Sequence, residues 1–380
     1  MYLPAGVIVY LKKAWQLWLR GNETGFGKRY RKIQAQQNFF GGACELVHII
    51  ISQSPNISLS LRRCGEQTRK EEMRMKITRR NFLKVCGGTA AACGLSNLGI
   101  PNVVQALEKA LAGNPPVIWL QGSGCTGCSV SLLNSVEPDI AAILLRIISL
   151  KFHSTVMAAQ GELAMDKMYK VAEDYAGKFY LVVEGSIPTR ERGRFCMVGE
   201  RQGREITMLD ATIEIGKKAA ATLAFGTCAS FGGIPAAKPN PTGAKPVTAI
   251  FKENGIKTPV VNVPGCPPHP DWMVGTIAYA LTKGLPPVDE YKRPLLFFGS
   301  TIHDNCPYLK YYQEGKFAGS YGEEGCRLKL GCKGMETYAD CWQRQWNNKV
   351  NWCVRNAICI GCVQPNFWDE MAPLYEQTTG

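Results

Sequence analysis

The sequence predicts an α/β fold: a parallel β-sheet with helices on its faces, followed by a small, irregular, cysteine-rich segment. Three observations carry this reading. Between residues 113 and 290, short apolar runs bounded by Gly and Pro alternate with helix-like segments. Three of the runs end in glycine-rich loops that carry cysteine, GSGCTGC, GTCASFGG and PGCPPHP. From Thr301 onward periodicity fades and cysteines crowd, as in NWCVRNAICIGCVQP at 351–365.

The bulk numbers fit two domains. The chain has 380 residues, 46% of them hydrophobic, enough for more than one core. A net charge of +13 resembles a nucleic-acid signature until it is located. Residues 1–112 hold 17 Lys/Arg against 6 Asp/Glu, and the remainder holds 27 against 25. The body is therefore nearly neutral, and no nucleic-acid partner is expected.

The N-terminal region divides in two. TRRNFLKVCGGTAAACGLSNLGI begins with Arg79 and Arg80, follows a basic start, continues through small and apolar residues, and reaches a small-x-small site at Ala110-Leu111-Ala112. This three-part layout is that of a twin-arginine export signal over 75–112, a route used by proteins exported already folded. Residues 1–74 precede it with no clear period or motif. They read as a misassigned or disordered extension, with translation expected to begin at Met73 or Met75.

In the body, 117–120, 180–183, 222–225 and 260–263 read as buried strands. Residues 210–219 and 273–283 are helical candidates between and after them. Strands alternating with helices give a parallel sheet, whose ligands sit beyond the carboxyl ends of the strands. Cys125, Cys128, Cys228 and Cys266 all fall just past strand ends and should converge at one edge. Four thiolates there can hold an iron–sulfur cluster or a zinc. Glycines beside them let backbone N–H groups approach the metal site. GSGCTGC lacks the Lys-Ser/Thr ending of a phosphate loop.

Beyond Thr301 the ligands can be counted. His303 and Cys306, three apart, reach one centre from a single turn, and Cys326 and Cys332 complete a second set of four. Cys341, Cys353, Cys359 and Cys362 make a third, which leaves only Cys196 of the body unassigned. Disulfides would give His303 no role, and folding before export takes place in a reducing compartment. Zinc fits the stoichiometry but gives no reason for three sites in series. Iron–sulfur clusters give one, an electron path.

At this point a family resemblance enters. WLQGSGCTGCS, AFGTCASFGGI, VPGCPPHPDW, HDNCPYL, GCKG and CIGCVQPNFWD resemble, in order and spacing, the motifs of the small subunit of nickel–iron hydrogenases. The likeness covers 113–380 and the twin-arginine signal. It implies a flavodoxin-like domain over 113–290, with Cys125, Cys128, Cys228 and Cys266 on a proximal 4Fe–4S cluster. It implies a C-terminal domain over 291–380 with a distal 4Fe–4S cluster on His303, Cys306, Cys326 and Cys332. A medial cluster falls to Cys341, Cys359 and Cys362. Many members carry a proline near Cys353 and a 3Fe–4S medial cluster. The thiol of Cys353 points to 4Fe–4S here. Oxygen-tolerant members add two cysteines near the proximal cluster, at the places of Gly127 and Gly233, so oxygen sensitivity is expected.

The implied function is that of a periplasmic uptake hydrogenase's small subunit. It relays electrons from H2 oxidation in a large subunit to a cytochrome or iron–sulfur acceptor. The nickel–iron site belongs to that large subunit, and no catalytic residue or nickel is expected on this chain. The C-terminal FWDEMAPLYEQTTG is too short and polar to span a bilayer, so membrane attachment would come through a partner. Two alternatives share parts of the pattern. A cytoplasmic hydrogen sensor would lack the export signal. Another iron–sulfur electron-transfer subunit, such as that of a proton-pumping quinone reductase, would match the flavodoxin-like part alone.

Overall fold

The computed structural model describes residues 114–372, apart from 137, 347, 348, 350, 366 and the side chains of 145 and 146. The expected export signal, the extension before it and the chain's final residues lie outside the described residues. In chain order the main elements are β1 (Pro116–Gln121), α1 (Gly127–Leu133), β2 (Ser149–His153), α2 (Gly161–Asp174) and β3 (Tyr180–Glu184). There follow β4 (Met197–Arg201), β5 (Arg204–Thr207), α3 (Met208–Gly216), β6 (Ala221–Phe225), α4 (Gly226–Phe231), α5 (Val247–Glu253), β7 (Val260–Val263) and α6 (Pro270–Lys283).

Five strands form one sheet in the order β2-β1-β3-β6-β7, and every pairing is parallel. Counted within the sheet alone, this is the flavodoxin-like order 2-1-3-4-5. The order reverses between β1 and β3, and in sheets of this kind ligands sit beyond the carboxyl ends at that switch point. β4 and β5 form a separate antiparallel hairpin. Gln202 and Gly203 turn it with positive φ at both positions, as a two-residue hairpin loop requires.

The strands bury both faces, which is why they read as continuous apolar runs. Alternation along β1 sends Val117 and Trp119 to one face and Ile118 and Leu120 to the other. The second face packs on α2, α3 and α5 through Met165, Met168, Ile215 and Phe251. The first packs on α6 through Trp272, Met273 and Ile277, and on the irregular segment through Phe297, Phe298, Trp352, Val354 and Val363. The cysteine-rich segment therefore buries its apolar side chains against the sheet. That answers the problem its weak periodicity poses, with the Trp342–Trp352 and Phe367–Trp368 ring pairs adding contacts inside the segment.

Two helix starts differ from the sequence reading, each for a local reason, and α3 ends at Gly216, not Ala219. α3 begins at Met208, not Asp210, because Thr207 caps it: its Oγ1 accepts from the Asp210 N–H at 3.0 Å, and the Asp210 carboxylate accepts from the Thr207 N–H. α6 begins at Pro270, not Met273. His269 Nδ1 accepts from the Asp271 N–H at 3.0 Å, and Pro270 has no N–H to satisfy. Among the described residues no helix is long and apolar enough to cross a membrane.

Candidate metal centres

The first centre stands beyond the carboxyl ends of β1, β6 and β7. Cys125 lies in the loop after β1, and Cys128 lies in the first turn of α1. Cys228 occupies the first turn of α4, and Cys266 follows β7. The four feel one another's charge. Burial pushes the Cys128 thiol well up, and Glu184, Cys228, Cys125 and Cys266 push it further. Burial, then Cys266 and Cys125, pushes Cys228 up to about 12. Thiols held protonated in this way release their protons when a metal binds.

Tight backbone packing sets the positions of these sulfurs. Gly226 has φ +86°, and a Cβ there would stand 2.4 Å from the Cys128 Sγ. A Cβ at Gly233 would stand 2.6 Å from the Cys228 Sγ, and one at Gly127 3.0 Å from the Cys125 Sγ. Thr227 ties three cysteine loops together. Its N–H donates to the Gly265 carbonyl at 3.0 Å, its Oγ1 accepts from the Gly265 N–H at 2.9 Å, and the same hydroxyl donates to the Cys362 carbonyl.

Beneath this centre lies a buried carboxylate that the sequence reading passed over. Glu184 ends β3 opposite Gln121 of β1. Its Oε1 accepts from the N–H groups of Cys128 at 2.9 Å and Ser129 at 3.1 Å. Its Oε2 accepts from the Trp119 indole at 3.0 Å and from the Ser129 hydroxyl. The only local signal was a Glu closing an otherwise apolar strand.

The second set lines a recess of about 350 Å³, open to solvent on one side, with His303, Cys306, Cys326 and Cys332 all in its wall. His303 and Cys306 come from one turn, as expected: a short 3-10 helix, His303–Asn305, whose end is closed by the Cys306 N–H donating to the His303 carbonyl at 3.1 Å. Burial pushes Cys306 up to about 11, with smaller upward contributions from Cys332 and Cys326. The His303 ring meets Tyr312 edge-on, centroids 4.7 Å apart.

The third set combines enclosed thiols with one exposed member, Cys353. Cys341 and Cys359 are buried. Burial holds Cys341 well above the ordinary thiol range, and Cys362, Cys359 and Cys353 add to it. Cys353 likewise acts on Cys359, which burial pushes up to about 11, and on Cys362, which burial also pushes up. Cys353 therefore stands with the other three. This set also touches both others. Cys362 feels Cys266 of the first, and the Cys359 N–H donates to the Cys332 Sγ of the second at 3.4 Å. The spatial order is thus first, third, second.

All twelve described cysteines are free thiols. Cys196 packs instead beside the second face's core. Among the described residues no three His, Cys, Asp or Glu side chains close to the spacing of a single metal ion. The looser groupings, coupled by charge, bring together the soft donors that a polynuclear iron–sulfur cluster needs.

One more polar group joins the segment to α6. Arg344 Nη1 meets the Asp271 carboxylate at 3.1 Å and Nη2 meets Asp340 at 2.6 Å, while Trp272 Nε1 donates to Asp340 at 2.6 Å. His269 lies beside it, its Nε2 at the Gln345 carbonyl, and burial holds its imidazole down at about 4. It is neutral at neutral pH.

Comparison with known proteins agrees with this anatomy. Residues 125–280 match the family described as NADH ubiquinone oxidoreductase, 20 Kd subunit. Residues 298–375 match the family of C-terminal regions of the NiFe/NiFeSe hydrogenase small subunit. The second match covers the segment that the quinone reductase alternative leaves unexplained. The periplasmic NiFeSe hydrogenase small subunit of Desulfomicrobium baculatum is 51% identical over 313 residues, spanning 79% of this chain and 99% of the relative. The periplasmic NiFe hydrogenase small subunit of Solidesulfovibrio fructosivorans is 40% identical over 328 residues, spanning 85% and 99%. Among solved structures, a chain of the reduced, active Ni-Fe-Se hydrogenase from Desulfomicrobium baculatum is 54% identical. It superposes with a TM-score of 0.67 over 69% of this chain and 98% of that one. From its two family matches, its relatives and its fold, this chain belongs to the small subunits of nickel–iron hydrogenases.

Proposed function

We propose that the chain relays electrons from H2 oxidation in a large subunit, through three iron–sulfur clusters, to an external acceptor in the periplasm. The sheet domain, 113–290, would hold the proximal cluster on Cys125, Cys128, Cys228 and Cys266. The domain over 291–380 would hold the medial cluster on Cys341, Cys353, Cys359 and Cys362. It would also hold the distal one on His303, Cys306, Cys326 and Cys332. The segment 75–112 would direct export, in keeping with relatives named as periplasmic. When bound, the clusters supply one-electron steps in series.

The observation that carries this reading is the order of the three sets. The third touches the first through Cys362 and Cys266, and the second through Cys359 and Cys332. His303, at the far end of this series, lines a recess open to solvent, which suits a site of electron exit toward a cytochrome or iron–sulfur acceptor. Gly127 and Gly233 leave the proximal site with four thiols, the arrangement expected of an oxygen-sensitive enzyme.

Iron and sulfide analysis of the purified heterodimer tests the reading. About twelve iron atoms per small subunit are expected, with H2-dependent reduction of an artificial acceptor only when the large subunit is present. Zinc in place of iron would end it. Cys353→Ala should lower the iron content by about one atom and bring up a 3Fe–4S signal in low-temperature EPR of the oxidised protein. A strong 3Fe–4S signal already present in the wild type would remove Cys353 from the ligand set.

Gly226→Ala should damage the proximal site alone. The added methyl collides with the Cys128 sulfur, and the residue keeps φ +86°, a region costing roughly 1–2 kcal/mol for any L side chain. Loss of about four iron atoms is expected, with the medial and distal EPR signals kept. A full complement of iron would show that the α4 turn can shift to admit the methyl.

A further inference from the structure

Arg327 is buried, 6% exposed, in the wall of the recess that holds His303, Cys306, Cys326 and Cys332. Its guanidinium lies over the Tyr308 ring, 4.9 Å from the centroid. Nη2 donates to the Arg355 carbonyl at 3.0 Å. Nε and Nη1 have no partner among the described residues. Buried N–H donors left unmade are costly, and a buried guanidinium without a carboxylate more so. Stacking on Tyr308 compensates only part of this. The remaining compensation must come from what occupies the recess.

The occupant proposed above has the complementary chemistry. A 4Fe–4S cluster on three thiolates and one neutral imidazole carries net negative charge in both of its usual oxidation states. Its sulfurs accept hydrogen bonds, and such bonds together with nearby charge set its potential. We infer that Arg327 is the fixed counter-charge of the distal cluster, its free Nε–H and Nη1–H donating to cluster or thiolate sulfur. This rests on the assignment of an iron–sulfur cluster to His303, Cys306, Cys326 and Cys332. A fixed positive charge favours the more negative, reduced state, so it raises the distal midpoint potential and draws electrons toward the exit. The bond to Arg355, inside the helix Cys353–Asn356 of the medial set, anchors the guanidinium between the two sites.

The test is a redox titration of the heterodimer followed by EPR of the reduced distal cluster. Arg327→Met keeps the apolar stem and removes charge and donors. At the wild-type midpoint its distal cluster should be about tenfold less reduced, a midpoint about 59 mV lower. Arg327→Lys keeps the charge and should recover most of the difference. An unchanged midpoint in Arg327→Met overturns the inference. Should that variant fail to keep its distal iron, Arg327→Gln is compared with Arg327→Lys. A lower midpoint in the glutamine form supports the inference, and equal midpoints overturn it. A wild type with no distal cluster signal would instead refute the cluster assignment itself, so the two failures are distinguishable.

Discussion

Glu184→Ala should destabilise the protein by about 3–5 kcal/mol and strip the proximal site of its iron. Glu184 is 3% exposed and accepts five hydrogen bonds, from Trp119, Gln121, Cys128 and twice from Ser129. Alanine leaves the Trp119 indole and the Cys128 and Ser129 amides without this acceptor, while the Ser129 hydroxyl keeps His153 Nε2 at 3.1 Å. Three of the five donors belong to the first turn of α1, which carries Cys128, so the turn loses the anchor that aims its sulfur. Glu184→Gln should fall in between. Its carbonyl oxygen can serve one pair of donors, while its amide faces the others with further N–H groups. Thermal unfolding of the heterodimer and its iron content check the order wild type, glutamine, alanine. An alanine variant with normal iron and stability would show that water replaces the carboxylate without loss.

Arg344→Met should cost a similar 3–5 kcal/mol through a different mechanism. The arginine side chain is 9% exposed and neutralises Asp271 and Asp340, each 18% exposed. Methionine fills the volume but strands two half-buried carboxylates. The pH dependence identifies the cause. Burial already raises the Asp271 carboxyl, with Arg344 pulling it down. Without the arginine the carboxyl rises further in the folded state only. The folded protein then binds the proton before the unfolded one, so the deficit is largest above the folded value and shrinks as pH falls through it. A deficit that does not change with pH would mean that Arg344 acts through packing alone.

The contrast between these residues shows what could be read from the sequence. The gathering of Cys125, Cys128, Cys228 and Cys266 at one sheet edge was legible because the signal is local. Each sits in a glycine loop after an apolar run, and parallel topology brings every strand end to one edge. Glu184 was not legible. A carboxylate closing an apolar strand looks like the strand's exit to water. Only the register that sets Glu184 against Gln121 shows it lying under the Cys125–Cys128 loop. The Arg344–Asp271 pair spans 73 residues, with no period to link them. β4 and β5 gave little signal because the hairpin is largely exposed and shows no alternation of buried and exposed residues. Thr207 and His269, which start α3 and α6 earlier than periodicity suggests, act through local capping hydrogen bonds that apolar spacing does not register.

The shared wall between the second and third sets bears on how such a protein is assembled. Cys341 and Cys359 are buried, and the Cys359 amide donates to a sulfur of the neighbouring site. Cys353, by contrast, is the exposed member of the same set. On the assignment proposed above, iron and sulfide would reach the buried thiols of Cys341 and Cys359 from the Cys353 side. The Cys359–Cys332 contact would then link the filling of the two neighbouring sites, since a shift of either chain segment moves a group of the other.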